Sequence, residues 1–361
     1  MIKIYSFGSN GSGQLAIGST DDVAFPTEAL FLDKVPHEPI RQLRAGGNHT
    51  LLLIGDTLFY SGNFYNHTLS FSGSNDKFQQ VRLPSDFNIY NCSVVCCAAS
   101  WEATILAVRD ETGHSNKIYT FGNGHYGELG QGEIVLKLGE AQQIREFPPP
   151  GLEINDLSAS VSHVVTVLSN GDVYGWGNGR KGQLGQPKQI VYHPRKVTGL
   201  DFKVRRAVCG REFTCFFGEP DSGRFIVMGS DKWNIITSAP SDTFGWKDVG
   251  AGWGSIHVLK HNGKLNSWGR NDHGQLAPPS LPQLSKMAVG SEHVLGLTNE
   301  GDFLAWGWGE HGNCGPLTSD GVVKSKWNTI NMHKYLPSSE KLSGIGAGCA
   351  TSWVYTECTK K

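Results

Sequence analysis

The sequence predicts an all-β chain folded as a seven-bladed β-propeller, a single domain over residues 1–361, closed by pairing its N- and C-terminal strands in one composite blade. Three observations carry this expectation. A glycine-rich strand motif recurs seven times, a second strand motif precedes each copy but the first, and the two chain ends are incomplete in complementary ways. Repeats with periods of some tens of residues mark solenoids and propellers.

The first motif reads IYSFGSNGSGQLAIG from Ile4, IYTFGNGHYGELGQG from Ile118, VYGWGNGRKGQLGQP from Val173, LNSWGRNDHGQLAPP from Leu265 and FLAWGWGEHGNCGPL from Phe303. Two worn copies, LFYSGNFYNHT from Leu58 and RFIVMGSDKWNIIT from Arg224, fill the gaps. Its first glycine falls at Gly8, Gly62, Gly122, Gly177, Gly229, Gly269 and Gly307, at intervals of 54, 60, 55, 52, 40 and 38 residues. Seven units leave no room for another domain.

The second motif runs LRAGGNHTLLL, VCCAASWEATIL, LSASVSHVVTVL, AVCGREFTCFF, VGAGWGSIHVL and MAVGSEHVLGL, and a seventh copy, IGAGCATSWVY, ends the series with no Trp-Gly strand after it. The N-terminus offers the strand that copy lacks. Joining the two closes the ring and removes exposed sheet edges. Small residues open each copy, as innermost strands crowded at an axis require. That role absorbs Cys96, Cys97, Cys209 and Cys349 as small apolar side chains. The neighbours Cys96 and Cys97 point to opposite strand faces, which argues against a redox pair.

Composition agrees and excludes some functions. Glycine makes up 46 of 361 residues, well above the typical share of about 7%. A formal net charge of −1 lacks the basic footprint of a protein held by nucleic-acid phosphates. The start, MIKIYSFGSN, has no apolar signal core, and no run approaches the roughly 18 apolar residues of a membrane span, so a cytoplasmic and nuclear location is expected. In that compartment the eight cysteines are reduced thiols, and the sequons at Asn10, Asn48, Asn66 and Asn91 are chance matches.

Strand direction sorts the loops. LRAG runs up, GNH turns, TLLLI runs down and LFYSG runs up again, so the G-x-x-H turn and the segment after Trp-Gly share one end of the ring. That end carries Trp101, Trp253, Glu292, His293, Trp308, Glu310 and His311. Trp176, Trp268 and Trp306 occupy the repeat's aromatic position and belong to the core. Trp101, Trp253 and Trp308 break the pattern: they are material for a binding hot spot, unless each caps its own blade.

Apparent chemistry largely dissolves into the repeat. Gly122-Gly124-Gly127, Gly177-Gly179-Gly182 and Gly307-Gly309-Gly312 match G-x-G-x-x-G, yet GELG, GQLG or NCGP follows where dinucleotide binding needs a helix. His311 and Cys314 form half a metal site without a second half, and His257 and His261 lie on a strand and turn, so no metal is expected. The repeat histidines His49, His163 and His293 are expected to brace the backbone of their turns.

The repeats resemble the regulator-of-chromosome-condensation family of propellers over essentially the whole chain. WGWGEHGNCGP from Trp306 and GAGCATSWVY from Gly346, with FGSNGSGQL, GGNHTLLL, GWGSIHV and GSEH, are similar to the fungal alpha-tubulin suppressor, or killer-toxin-insensitivity, branch of it. The resemblance implies a heterodimer with a small CSL-type zinc- or iron-binding protein. That pair supports diphthamide synthesis on a translation elongation factor and, indirectly through Elongator, tRNA wobble-uridine modification. It implies no catalysis, no cofactor, no direct nucleic-acid binding and no membrane contact by the propeller. Trp101, Trp253, Glu292, His293, Trp308, Glu310 and His311 carry over as shared, candidate partner-binding positions. The alternative is a guanine-nucleotide exchange factor for a Ran-type GTPase. Against it stand the missing basic tail and the want of a nucleotide-displacing wedge, for which long linkers such as Gly132–Gly151, with Pro148-Pro149-Pro150, are the candidates.

Overall fold

The computed structural model describes residues 2–63, 75–81, 93–110, 112–316, 321–336 and 340–356, so part of the worn unit after Leu58 and the sequons at Asn66 and Asn91 lie outside the described residues. Seven antiparallel sheets form the ring, each numbered here as a blade from its innermost strand outward. The innermost strands are Ile40–Ala45 (blade 1), Ser93–Ala99 (blade 2), Ile154–Ser160 (blade 3), Arg206–Cys209 (blade 4), Trp246–Ala251 (blade 5), Leu284–Val289 (blade 6) and Leu342–Ala347 (blade 7). Each touches the innermost strands of both neighbours, so the ring is closed.

Blade 7 is the composite. Thr351–Thr356 pairs with Leu342–Ala347 on one side and with Ile4–Gly8 on the other, in the register Ile4↔Tyr355 through Gly8↔Thr351. Val23–Glu28 completes it. Blades 4 and 5 have three strands rather than four, because the 40- and 38-residue spacings around Gly229, Gly269 and Gly307 leave too little chain for an outer strand.

The seven motif glycines share one geometry. All have φ between +96° and +132°, a region that costs an L-residue dearly. A Cβ on any of them would sit 2.3–2.6 Å from the carbonyl oxygen that precedes the neighbouring strand, for example Gly307 against Glu292. The same carbonyl accepts the N–H of the residue after the glycine, as Trp308 donates to Glu292 at 2.9 Å. The motif is therefore a repeated tight crossing of two strands at the loop end. The aromatic residue before it fills the space between blades: Phe7, Trp176 and Trp306 are fully buried.

The repeat histidines correct the sequence reading. Their Nε2 atoms reach not their own turns but the next blade, across three of the seven junctions: 1 to 2, 3 to 4 and 6 to 7. His49 Nε2 lies 3.4 Å from Thr104 Oγ1, His163 Nε2 2.9 Å from Thr214 Oγ1, and His293 Nε2 2.9 Å from Ser352 Oγ. Ser352 Oγ itself donates to the Asn313 carbonyl, so the imidazole of His293 is the donor in that pair. Burial pushes all three imidazoles down to about 4, and they are neutral near pH 7. Where the repeat has Ala103, Phe213 or Ser255 instead of histidine, the next blade presents Val164, Ile256 or Val294 instead of a hydroxyl.

Candidate partner-binding face

The loop end of the channel is rimmed by backbone. Gly47 N–H donates to the Trp101 carbonyl and Trp101 N–H to Val161; Arg211 donates to Trp253, Trp253 to Ser291 and Ser291 to Gly348, all at 2.8–3.1 Å. These links join the turns of blades 1 to 3 and of blades 4 to 7 into two hydrogen-bonded arcs of a collar, and a braced scaffold positions binding groups well.

Two of the collar residues are the tryptophans that break the repeat. Trp101 comes from blade 2 and Trp253 from blade 5, yet their ring centroids stand 5.9 Å apart at 44°. The two indoles meet across the axis and bar the channel mouth. Trp101 also lies on Gly47, where a Cβ would meet its Cε2 at 2.6 Å, and the Arg211 guanidinium sits over the Trp253 ring at 5.4 Å. Neither indole caps its own blade. Trp101 remains 37% exposed and Trp253 half-buried.

A second cluster extends outward over blades 4 to 6. Trp233, 41% exposed, stands on a turn in which both Trp233 and Asn234 have positive φ, 67° and 57°. Non-glycine residues held there mark strain that the surroundings must maintain. Arg270 lies over the Trp233 ring at 4.8 Å. It also grips Asp272 through Nε (2.7 Å) and Nη2 (2.8 Å) and reaches Glu292 through Nη1. Burial of Asp272 works against ionisation, but hydrogen bonds from Arg270, Gln275 and His273 hold its carboxyl below the usual range. His273 stacks flat on Trp308, with centroids 4.5 Å apart at 11°.

The seven sequence-named residues separate into two groups. Trp101, Trp253, Trp308, Glu310 and His311 reach the loop-face surface at least in part. Glu292 and His293 do not. Glu292 is buried beneath Arg270 and Gln275, and burial pushes its carboxyl up despite both. His293 is buried in the junction with blade 7. Their place in the sequence beside an exposed turn concealed that they point inward. His311 pairs with Asp22 of blade 7 at 2.8 Å. Arg211, Trp233 and Arg270 escaped the sequence reading, Trp233 because it sits in a worn copy where the alignment of units fails.

Cys314 is buried while His311 is exposed, and no group of three or more metal-ligating side chains occurs among the described residues. Burial pushes the Cys96 thiol up to about 12 and Cys97 to about 11, the opposite of a reactive pair. Gly307 and Gly312 both have positive φ in a turn with no helix behind it. The candidate wedge at 132–151 is built into the ring over most of its length, since Lys137–Gln143 is the outer strand of blade 2 and Phe147 packs against Tyr174 and Trp176, while Ile134 near its start stands 93% exposed.

Sequence and structure together define a seven-bladed propeller of RCC1-like repeats. The regulator of chromosome condensation (RCC1) repeat matches residues 3–53 and 170–217, and a second form of that repeat matches 154–183 and 285–313. An RCC1 repeat-containing protein of Schizosaccharomyces pombe is 28% identical, covering 98% of this chain and 99% of its own. The secretion-regulating guanine nucleotide exchange factor of Mus musculus is 24% identical over 97% of this chain and 82% of its own, and the ultraviolet-B receptor of Arabidopsis thaliana is 26% identical over 86% and 74%. Among solved structures, Prp20p from Saccharomyces cerevisiae superposes with a TM-score of 0.80 at 18% identity, over 98% of this chain and 91% of that one. Human WBSCR16 does so at 0.78 and 17%, over 98% and 99%. These two show the fold. RCC1-repeat propellers are generally non-catalytic regulators or exchange factors.

Proposed function

We propose that the propeller is a non-catalytic docking platform whose loop face binds a small CSL-type zinc- or iron-binding protein as a heterodimer. In this reading the pair acts in cytoplasm and nucleus. It supports diphthamide synthesis on a translation elongation factor and, through an indirect link to Elongator, tRNA wobble-uridine modification. The propeller itself touches neither nucleic acid nor membrane. One observation carries the docking role: Trp101, Trp253, Trp233 and Trp308 gather on one face, all four outside the repeat's aromatic position and three of them flanked by arginine or histidine. Tryptophan and arginine dominate interface hot spots. The net charge of −1 supports a protein partner over a polyanion.

A second reading, nucleotide exchange on a Ran-type GTPase, is favoured by the name of the mouse relative. Most of its candidate wedge at 132–151, however, is built into blades 2 and 3, leaving only the short stretch around Ile134 exposed.

Purification of the tagged chain from native extract tests the choice. A small cysteine-rich protein is expected to co-purify, and Trp253→Ala and Trp308→Ala are each expected to weaken the complex by about 2 kcal/mol, roughly thirtyfold, with the fold intact. Undiminished capture by both folded variants would move the interface off this face. Accelerated nucleotide release from a Ran-type GTPase would replace the reading altogether.

A further inference from the structure

The channel through the ring is a site separate from the loop face. Its cavity is about 350 Å³, walled by innermost strands and obstructed at the loop end by the Trp101–Trp253 pair. At about 3.3 Å per residue, six residues of strand place the opposite mouth roughly 20 Å away. Asp156, Arg206 and Asp248 line the wall toward that mouth, and Arg44, the fifth of six residues in the blade 1 strand, lines it nearer the loop end.

Three of these four pair by charge, although Arg206 Nε makes no hydrogen bond. Asp156 accepts the Ala207 N–H at 2.9 Å and lies 3.3 Å from Arg206 Nε. Arg206 also stands 3.9 Å from Asp248, so its one charge is divided between two carboxylates. Arg44 is the exception. Its guanidinium donates to the carbonyl of Leu43 at 3.0 Å, and no carboxylate of the described residues lies within 4.0 Å of it. Beside it the phenol of Tyr355 lies across Gly344, where a Cβ would meet Tyr355 Cζ at 2.2 Å; only glycine lets that ring reach the channel wall. Burial pushes the Asp248 carboxyl up, which lessens the negative charge opposing an incoming anion. A half-buried guanidinium with no carboxylate in contact, whose charge reaches Asp248 only at longer range, in a cavity within the small-molecule size range, is suited to hold an anion through charge-assisted hydrogen bonds.

The geometry points to a binding site for a small anion, a phosphate ester or a carboxylate, that enters from the mouth opposite the loop face and seats on Arg44 with the Tyr355 hydroxyl as a neutral donor. Calorimetric titration of the full chain with pyrophosphate and, separately, citrate tests it, with glucose as the uncharged control. At least one anion is expected to bind saturably and glucose not at all, and the tighter of the two identifies the ligand's charged group. Arg44→Met is expected to weaken binding at least about tenfold and Tyr355→Phe by less. Arg211→Met, the same charge change on the loop face, leaves the affinity unchanged. If Arg44→Met does not fold, Tyr355→Phe carries the test. The site is overturned if wild type binds neither anion, if folded Arg44→Met binds as tightly as wild type, if Arg211→Met loses as much as Arg44→Met, or, where Tyr355→Phe stands alone, if it binds as wild type does.

Discussion

Blade 6 places two short loops side by side on one face, Gly290–His293 and Trp308–Gly312, and they do opposite things. In the first, His293 folds back over Gly290, where a Cβ would meet its Cε1 at 2.3 Å, and its far nitrogen reaches Ser352 in blade 7. In the second, Trp308 stacks on His273 of the preceding blade and His311 turns to a surface pair with Asp22. The difference teaches where the repeat ends and the site begins. Residues that recur serve the joints between blades; residues that depart from the pattern are left at the surface, free to serve a partner.

The sharpest way to break that contrast is at its inward half. His293→Ala leaves a cavity and an unpaired buried hydroxyl, and it is expected to cost about 3 kcal/mol in denaturant unfolding while leaving partner affinity of the folded protein unchanged. The wild-type pH profile carries the same signature. With folded-state values near 4, below the ordinary 6.5, the stability lent by His49, His163 and His293 is present above pH 6.5 and lost as pH falls toward 4. An acid unfolding curve without a drop in that window would contradict their burial.

A smaller effect extends the contrast to blade 2. The slot holding Gln14, Gln183 and Gln275 elsewhere holds Glu128 there; each accepts an N–H two residues back, Glu128 from Tyr126 at 2.7 Å. Burial pushes its carboxyl up to about 7. A raised carboxyl value means a contribution that is complete below about 4.5 and lost as pH rises through 7. Glu128→Gln is therefore expected to gain about 2 kcal/mol at pH 8 and nothing at pH 4. Equal gains at both pH values would show that something other than ionisation is at work. The smallest effect belongs to the outward half: His311→Ala removes only an exposed pair with Asp22 and is expected to change stability by less than about 0.5 kcal/mol. A melting-point loss comparable to that of His293→Ala would erase the distinction between the two loops.

Much of this was legible in the residues. The seven glycines marked the repeat, though not the tight strand crossings they make, and the unmatched motifs at the two ends foretold the composite blade. The inward histidines were readable in principle. The hydroxyls that receive them, Thr104, Thr214 and Ser352, sit one unit further along at a fixed place, but pairing across blades shows only when units are compared as neighbours. Trp101 and Trp253 stood out as departures; that they touch depends on ring closure, which sets blades 2 and 5 facing each other. Trp233 and Arg270 were hidden, since their contact depends on a left-handed turn that no local pattern announces.

The composite blade has a consequence in time. Ile4–Gly8 can take up its inner partner only after Thr351–Thr356 has been made, so during synthesis the first hairpin waits with an open edge while the other six blades emerge. Contacts of such long sequence separation are the slow ones to form. Until the last strand arrives that edge is open to pairing with another chain, and ring closure is the event that removes it.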